Sequence, residues 1–238
     1  MTVINPAQLG TILGVWAHPD DEAYLSAGIM AAAVDAGNRV VCVTATRGEA
    51  GSLDLVKWPP ETLASVREAE LAACLAVLGV REHIWLDYPD GGCADVAAEE
   101  ATDRVAEIIR DVEPDTVVTF GPDGMTWHAD HIAVSEWTSA AFPHAAPDNA
   151  RLLYATKTPQ WADGFLAAID ADQVMMSDQL PPVTPVEDLA VNVRLEGPAL
   201  DRKYKAMLCQ PSQVESLLGA MGEEDYRSFL ADESFRLP

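Results

Sequence analysis

Across its first 160 residues the sequence repeatedly sets a short, unbroken apolar run against a longer helical stretch, and this alternation narrows the fold more than any other feature. The runs are TILGVWAH (11–18), RVVCVTAT (39–46), REHIWLDYP (81–89), DTVVTFGP (115–122) and RLLYATKT (151–158). Apolar runs without a polar face belong to strands covered on both sides, as in parallel sheets. Between them lie helical stretches at 22–36, 61–78 (strongly amphipathic) and 95–111, and one that begins over 128–142; Gly37 and Gly79 stop the first two. Repeated strand–helix–strand units with short connections predict an α/β fold: a Rossmann-like, mostly parallel sheet with right-handed crossovers and helices on both faces. After residue 158 the pattern loosens. Pro181, Pro182 and Pro185 mark a loop-like stretch, 187–195 reads as a strand and 199–209 as a helix. The expectation is a single domain over 1–238, with a core at 11–158 and a less regular extension, 159–238, that completes the pocket.

Open α/β sheets bind ligands at the carboxyl ends of their strands, near the point where strand order reverses. Two polar clusters sit at such ends. His18-Pro19-Asp20-Asp21-Glu22 follows the first strand, and Trp127-His128-Ala129-Asp130-His131 follows the fourth. Three of the chain's 5 histidines are there. If a helix opens near Pro19, His18 and Asp21 are three apart and face one point, while Asp20 is displaced around the turn. His128 and His131 share the same spacing, so both can face one pocket. Two imidazoles and a carboxylate form a ligand set for catalytic zinc, which keeps a fourth position open, and the absence of cysteine from both clusters argues against a closed structural zinc site. Taken alone, the first cluster also reads as a helix start, with Pro at the first position and acids complementing the dipole, and the second as solvated histidines near a helix start. Their joint occurrence at strand ends favours the site.

The charge balance excludes several functions. Fifteen Lys+Arg against 38 Asp+Glu leave a net charge of −23, which repels nucleic acid and anionic lipid. No apolar run approaches the roughly 18 residues of a membrane span. The N-terminus has no basic region followed by a small-residue cleavage site, so the expected location is the cytoplasm. Cys42, Cys74, Cys93 and Cys209 form no CxxC pair; no disulfide framework is expected, and Cys42 and Cys74 read as small core residues.

The paired motifs, His18-Pro19-Asp20-Asp21-Glu22 with His128-Ala129-Asp130-His131, resemble those of the PIG-L/LmbE-like family, the N-acetylglucosaminylphosphatidylinositol de-N-acetylases and their mycothiol- and bacillithiol-pathway relatives. Thr46-Arg47-Gly48-Glu49 with Gly51, Arg67-Glu68-Ala69-Glu70, Leu78-Gly79-Val80 and Asp87 to Gly92 are similar to further family features, so the resemblance covers roughly residues 11–140. Two positions depart from it. Ala129 stands where the family often has Pro, and Gln210 takes the place of a His ahead of Ser212-Gln213.

The resemblance implies a zinc-dependent hydrolase that removes an N-acetyl group from an N-acetylglucosamine-type substrate. It implies Zn²⁺, or another divalent metal such as Fe²⁺, on His18, Asp21 and His131, with Asp20 as general base. It implies His128 as an oxyanion partner, best as an imidazolium, Asp130 as the carboxylate that orients His128, and Glu22 as support for the helix start or a ligand histidine. Arg47 and Arg67 are candidate substrate contacts, each with an ion-pair alternative to nearby glutamates. Trp16 reads as core, and Trp127 as a wall of the pocket or as packing. The partner is a small acetylated amino sugar or conjugate; oligomeric state is left open. An amidase acting on a larger acyl conjugate shares the same motifs, and loops 47–60, 88–95 and 159–186 should distinguish the two. A non-catalytic metal module would not need Asp20 and His128. A dinucleotide-binding enzyme lacks support, since the first turn carries acids and no GxGxxG.

Overall fold

The computed structural model describes residues 4–170 and 174–238. The first three residues of the N-terminal segment, and 171–173 of the loop expected at 159–186, lie outside them. Five parallel strands form the centre: β1 (Ile12–Trp16), β2 (Val40–Thr44), β3 (Glu82–Trp85), β4 (Thr116–Phe120) and β5 (Arg151–Thr156). Every residue of β1, β2 and β4 is buried, the physical reason their sequences carry no polar alternation. The sheet order is β3-β2-β1-β4-β5-β7-β6, with β6 at Leu189–Arg194 and β7 at Asp232–Arg236. β1 pairs in parallel with β2 (Ile12 opposite Val40) and with β4 (Ile12 opposite Thr116). The order therefore reverses between β1 and β4, and the two polar clusters leave the sheet there.

The helices are α1 (Asp21–Asp35), α2 (Pro60–Leu78), α3 (Ala98–Val112), α4 (Ala129–Ala145), α5 (Pro159–Ala168), α6 (Gly197–Met207), α7 (Pro211–Met221) and α8 (Glu223–Leu230). α1, α2 and α6 pack on one another and α3 packs on α4, as two layers on opposite faces of the sheet. α2 opens with Pro60 in its first turn and closes at Gly79, whose φ of 82° suits a residue without Cβ. Its inward stripe includes Arg67 and Glu70 beside Leu63, Leu71, Cys74 and Leu78, so the amphipathic face is not purely apolar.

Beyond residue 158 the chain is more ordered than its sequence pattern predicts. α5, α7, α8 and β7 are all additions to the expected elements. β7 runs antiparallel to both β5 and β6, which makes the sheet mostly parallel with an antiparallel edge. Among the described residues no helix is long and apolar enough to cross a membrane.

Candidate metal centre and active site

β1 ends in a turn of unusual geometry. The His18 N–H donates to Asp21 Oδ2 (2.8 Å), and Asp20 has a φ of 119°, a region that non-glycine residues seldom adopt and that clusters at functional sites. Two buried groups hold the turn. Asp20 N–H donates to Glu22 Oε2 (2.9 Å), while Glu22 Oε1 accepts from Gln210 Nε2 (2.8 Å). Arg67, buried on α2, donates to the carbonyls of Pro19 and Gly48, with Nη2 3.6 Å from Asp20 Oδ2. Gly48 is needed beside it, because its φ is +68° and a Cβ there would meet Arg67 Nη1 at 2.1 Å.

The second cluster leaves β4 through a loop with positive φ at Gly124, Met125 and Trp127, and His128 caps α4 by accepting from the Asp130 N–H (3.1 Å to Nδ1). His131 stacks on Phe120 at 4.2 Å, and its Nδ1 donates to the Gly124 carbonyl (2.9 Å). That bond leaves Nε2 with its lone pair facing inward. His18 is set the opposite way round. Its Nε2 lies 3.1 Å from Asp130 Oδ2 and 3.0 Å from Asp90 Oδ1, so Nε2 carries the proton and Nδ1 faces inward. His18 Nδ1 and His131 Nε2 are 3.0 Å apart. Asp21 adds Oδ2 at 3.7 Å from His18 Nδ1 and Oδ1 at 3.4 Å from His131 Nε2.

Without a metal at neutral pH, a proton on His18 Nδ1 bridges it to His131 Nε2; once that proton leaves, three acceptors converge on one point and repel one another unless a cation lies between. Ligands on a tetrahedral zinc, with bonds of roughly 2.0–2.1 Å, stand about 3.3 Å from each other. The donor set and its spacing therefore fit a metal. Electrostatics agree: burial lowers the His18 pKa, but hydrogen bonds to Asp130 and Asp90 and the Asp21 charge lift it to about 10, a measure of how strongly this pocket draws positive charge. His131, by contrast, is pushed down to about 4 by burial. Two other sets of potential ligands share His18, one with His128 and His131 and one with Asp90 and Asp130. The second uses the proton-bearing Nε2 edge of His18, which is a hydrogen-bonding edge. The first lacks a carboxylate. We favour His18, Asp21 and His131 because their free acceptor atoms face the same point.

Asp20 stands beside this point; burial raises its pKa to about 8, against the pull of Arg67. His18, Asp20, Asp21, Arg67, His128 and His131 line one cleft lobe of about 420 Å³. A second lobe of about 430 Å³ shares Asp20, Asp21 and His131 with it. A larger groove of about 690 Å³, between Gln160, Arg194 and Ser228, touches none of these residues.

Three expectations are corrected. The Asp130 carboxylate does not orient the His128 ring. It accepts from the N–H groups of Gly91 (2.8 Å) and Cys93 (3.0 Å) and from His18, and meets His128 only through its own backbone N–H. His128 is not poised as an imidazolium, since burial and the charge on His18 lower its pKa and Nδ1 is already an acceptor. Arg47 lies outside the cleft lining: it pairs with Glu68, bonds Asp87 at 2.6 Å and covers the Trp85 ring at 4.6 Å. Trp127 donates to the Leu180 carbonyl (3.2 Å) and packs against the small cluster that contains Trp161, Phe165 and Met175, and Trp16 is fully buried core.

Asp90 went unrecognised as a site residue, although it precedes Gly91-Gly92 at the carboxyl end of β3, where the strand-end rule points. Its Oδ2 accepts from the Ala50 N–H (2.8 Å); burial alone would raise its pKa, but His18 and that bond bring it to about 2. Lys157, just past β5, and Gln213, in the first turn of α7, also line the cleft; of the two, only Gln213 belongs to a motif marked in the sequence, Ser212-Gln213.

The profile of the family described as PIG-L: GlcNAc-PI de-N-acetylase matches residues 13–142, more than half of the chain. The 1D-myo-inositol 2-acetamido-2-deoxy-alpha-D-glucopyranoside deacetylase of Kineococcus radiotolerans is 36% identical over 62% of this chain and 51% of its own length. The protein of the same description from Nakamurella multipartita is 31% identical over 98% of this chain and 89% of its own. Among solved structures, N,N'-diacetylchitobiose deacetylase from Pyrococcus horikoshii superposes with a TM-score of 0.64 at 19% identity, covering 100% of this chain and 87% of that one. GalB, the 4-carboxy-2-hydroxymuconate hydratase of Pseudomonas putida, gives 0.63 at 17% identity, covering 95% of each. Likeness at that level shows the fold alone, and a deacetylase and a hydratase share it.

Proposed function

The chain belongs to the PIG-L family of GlcNAc-PI de-N-acetylases, and from that membership we propose that it is a metal-dependent hydrolase releasing the N-acetyl group of an N-acetylglucosamine-type substrate. The observation that carries the reading is the convergence of His18 Nδ1, His131 Nε2 and the Asp21 carboxylate beside a separate carboxylate, Asp20. His18, Asp21 and His131 hold the metal, with Zn²⁺ as the proposed ion. When bound, it polarises the amide carbonyl and makes water acidic enough to attack near neutral pH.

Asp20 takes the proton from the attacking water as the water oxygen bonds the acyl carbon. The C–N bond then breaks, and Asp20 returns the proton to the leaving nitrogen, giving acetate and a free amine. His128 keeps Nδ1 on the Asp130 N–H and offers Nε2–H to the oxyanion, as a neutral donor. Asp130 and Asp90 hold His18 in the tautomer that leaves Nδ1 free. Arg67 positions Asp20 and offers its guanidinium to substrate hydroxyls in the lobe it lines with His18. A cytoplasmic location belongs to the same proposal; fractionation of the expressing cell tests it.

The test is amine release from N-acetylglucosamine conjugates with and without added Zn²⁺, run alongside Asp20→Asn and Asp21→Asn. Asp21→Asn should lose metal and turnover together. Asp20→Asn should keep its metal while kcat falls roughly 10²–10⁴-fold, the usual worth of a positioned base. Loss of metal in the Asp20 variant, or near-normal turnover by it, overturns this division of roles.

A further inference from the structure

The two lobes of the cleft differ in chemistry. Apart from residues that line both, Tyr24, Leu53 and Gln213 among them, the lobe bearing His18 presents Arg67, Asp90 and His128, groups that can bond hydroxyls. The other, of about 430 Å³, is walled by Phe120, Met125, Trp161, Met175, Leu217 and Phe229. Leu53 and Met176 stand at the shared mouth, 59% and 64% exposed. Lys157, the only cation lining the apolar lobe among the described residues, spends its Nζ on the Asp232 carbonyl (2.8 Å) and lies 5.0 Å over the Trp161 ring. An acetyl methyl needs about the volume of one water, about 30 Å³, a small part of that lobe.

The two lobes meet at Asp20, Asp21 and His131, where the scissile amide is placed. A secondary amide is trans, so its nitrogen substituent and its acyl substituent leave in opposite directions. With the hydroxyl-bearing amine in the polar lobe, the acyl group enters the apolar one. Resting on the hydrolase reading above, we infer that the apolar lobe is an acyl-chain subsite and that this enzyme removes aliphatic acyl groups longer than acetyl from an amino sugar. The balance is that of any amide hydrolysis: water oxygen bonds the acyl carbon, the C–N bond breaks, the nitrogen takes the proton, and a longer carboxylate leaves in place of acetate.

The experiment is kcat/KM of the metal-loaded enzyme for N-acetyl-, N-butanoyl-, N-hexanoyl- and N-octanoylglucosamine, with octyl N-acetylglucosaminide as a second arm. Each buried methylene should raise kcat/KM about three- to fourfold until the lobe is full. Leu217→Trp, which fills the lobe from a half-buried helix position, should cut the octanoyl-to-acetyl ratio at least tenfold while a normal thermal midpoint verifies its fold. A flat or falling acyl series with N-acetyl turnover intact overturns the subsite and leaves the hydrolase reading standing. So does a gain on the octyl glycoside in its place, which would give the lobe to the aglycone. An octanoyl-to-acetyl ratio unchanged in the folded Leu217→Trp variant overturns it as well. Absence of amine release from every substrate overturns both readings.

Discussion

A carboxylate that accepts from two backbone N–H groups and an imidazole has one orientation open to it, and Asp130 is in that position. Its contribution is to pin His18 Nε2–H, so its loss should register in metal binding before it registers in chemistry. Asp130→Asn must turn an NH₂ toward a donor, and metal affinity should fall about 10–100-fold, the usual effect of a lost outer partner. His128→Ala should retain its metal and lose turnover. Chelator competition on both variants checks the contrast; unchanged affinity in Asp130→Asn sinks the supporting role. At this scale the two motifs were legible because i, i+3 spacing is local. Which ring nitrogen His18 turns inward was not legible, because Asp90 and Asp130, distant in sequence, set it. Arg47 misled for a similar reason: Glu68 sits one residue from Arg67, yet Glu68 takes Arg47 while Arg67 turns inward to the Pro19 and Gly48 carbonyls.

Among the elements, those with one buried face and local stop signals were readable, and those whose polar groups point inward were not. β7 reads DESFR, as surface or loop, yet Glu233 is fully buried and accepts from the N–H groups of Gly28 (2.7 Å) and Ile29 (2.9 Å) and from Lys203 Nζ (2.7 Å). Gly28 eases this approach, since a Cβ there would stand 3.0 Å from Glu233 Oε2 and 2.7 Å from Leu195. α7 and α8 are short and pack mainly on other late elements, so no long period announces them. The junction of β5 with β7 carries a pH signature. Burial, reinforced by the charge on Lys203, lowers the Lys157 pKa from 10.5 to about 7. A lowered amine means that the unfolded chain binds more protons between those values, so stability rises with pH across that window and the full penalty stands below about 7. Lys157→Met removes this contribution. Its thermal midpoint should exceed the wild type's by most at pH 6–7, and the difference should shrink steadily toward pH 10. A difference constant with pH would show that Lys157 does not titrate in that window.

For the whole molecule the governing quantity is the net charge of −23. Repulsion of nucleic acid and anionic lipid is what composition alone predicts, because such arguments concern the field of the molecule and not its fold. The same field acts on substrates as they approach a cleft that already presents Asp20, Asp21 and Asp90. A neutral N-acyl amino sugar meets no long-range force. One bearing a phosphate is repelled, and the repulsion reaches about 30 Å at 0.01 M salt but only about 8 Å at 0.15 M. With metal kept saturating, so that its own attraction to the protein is removed from the comparison, kcat/KM for the phosphorylated substrate should rise several-fold between those salt concentrations. The neutral substrate should hold level. The sign is the discriminating feature: a fall with salt for the anionic substrate would mean that Arg67, and not the acidic surface, dominates the field at the mouth of the cleft, and net charge would then be no guide to what this enzyme meets first.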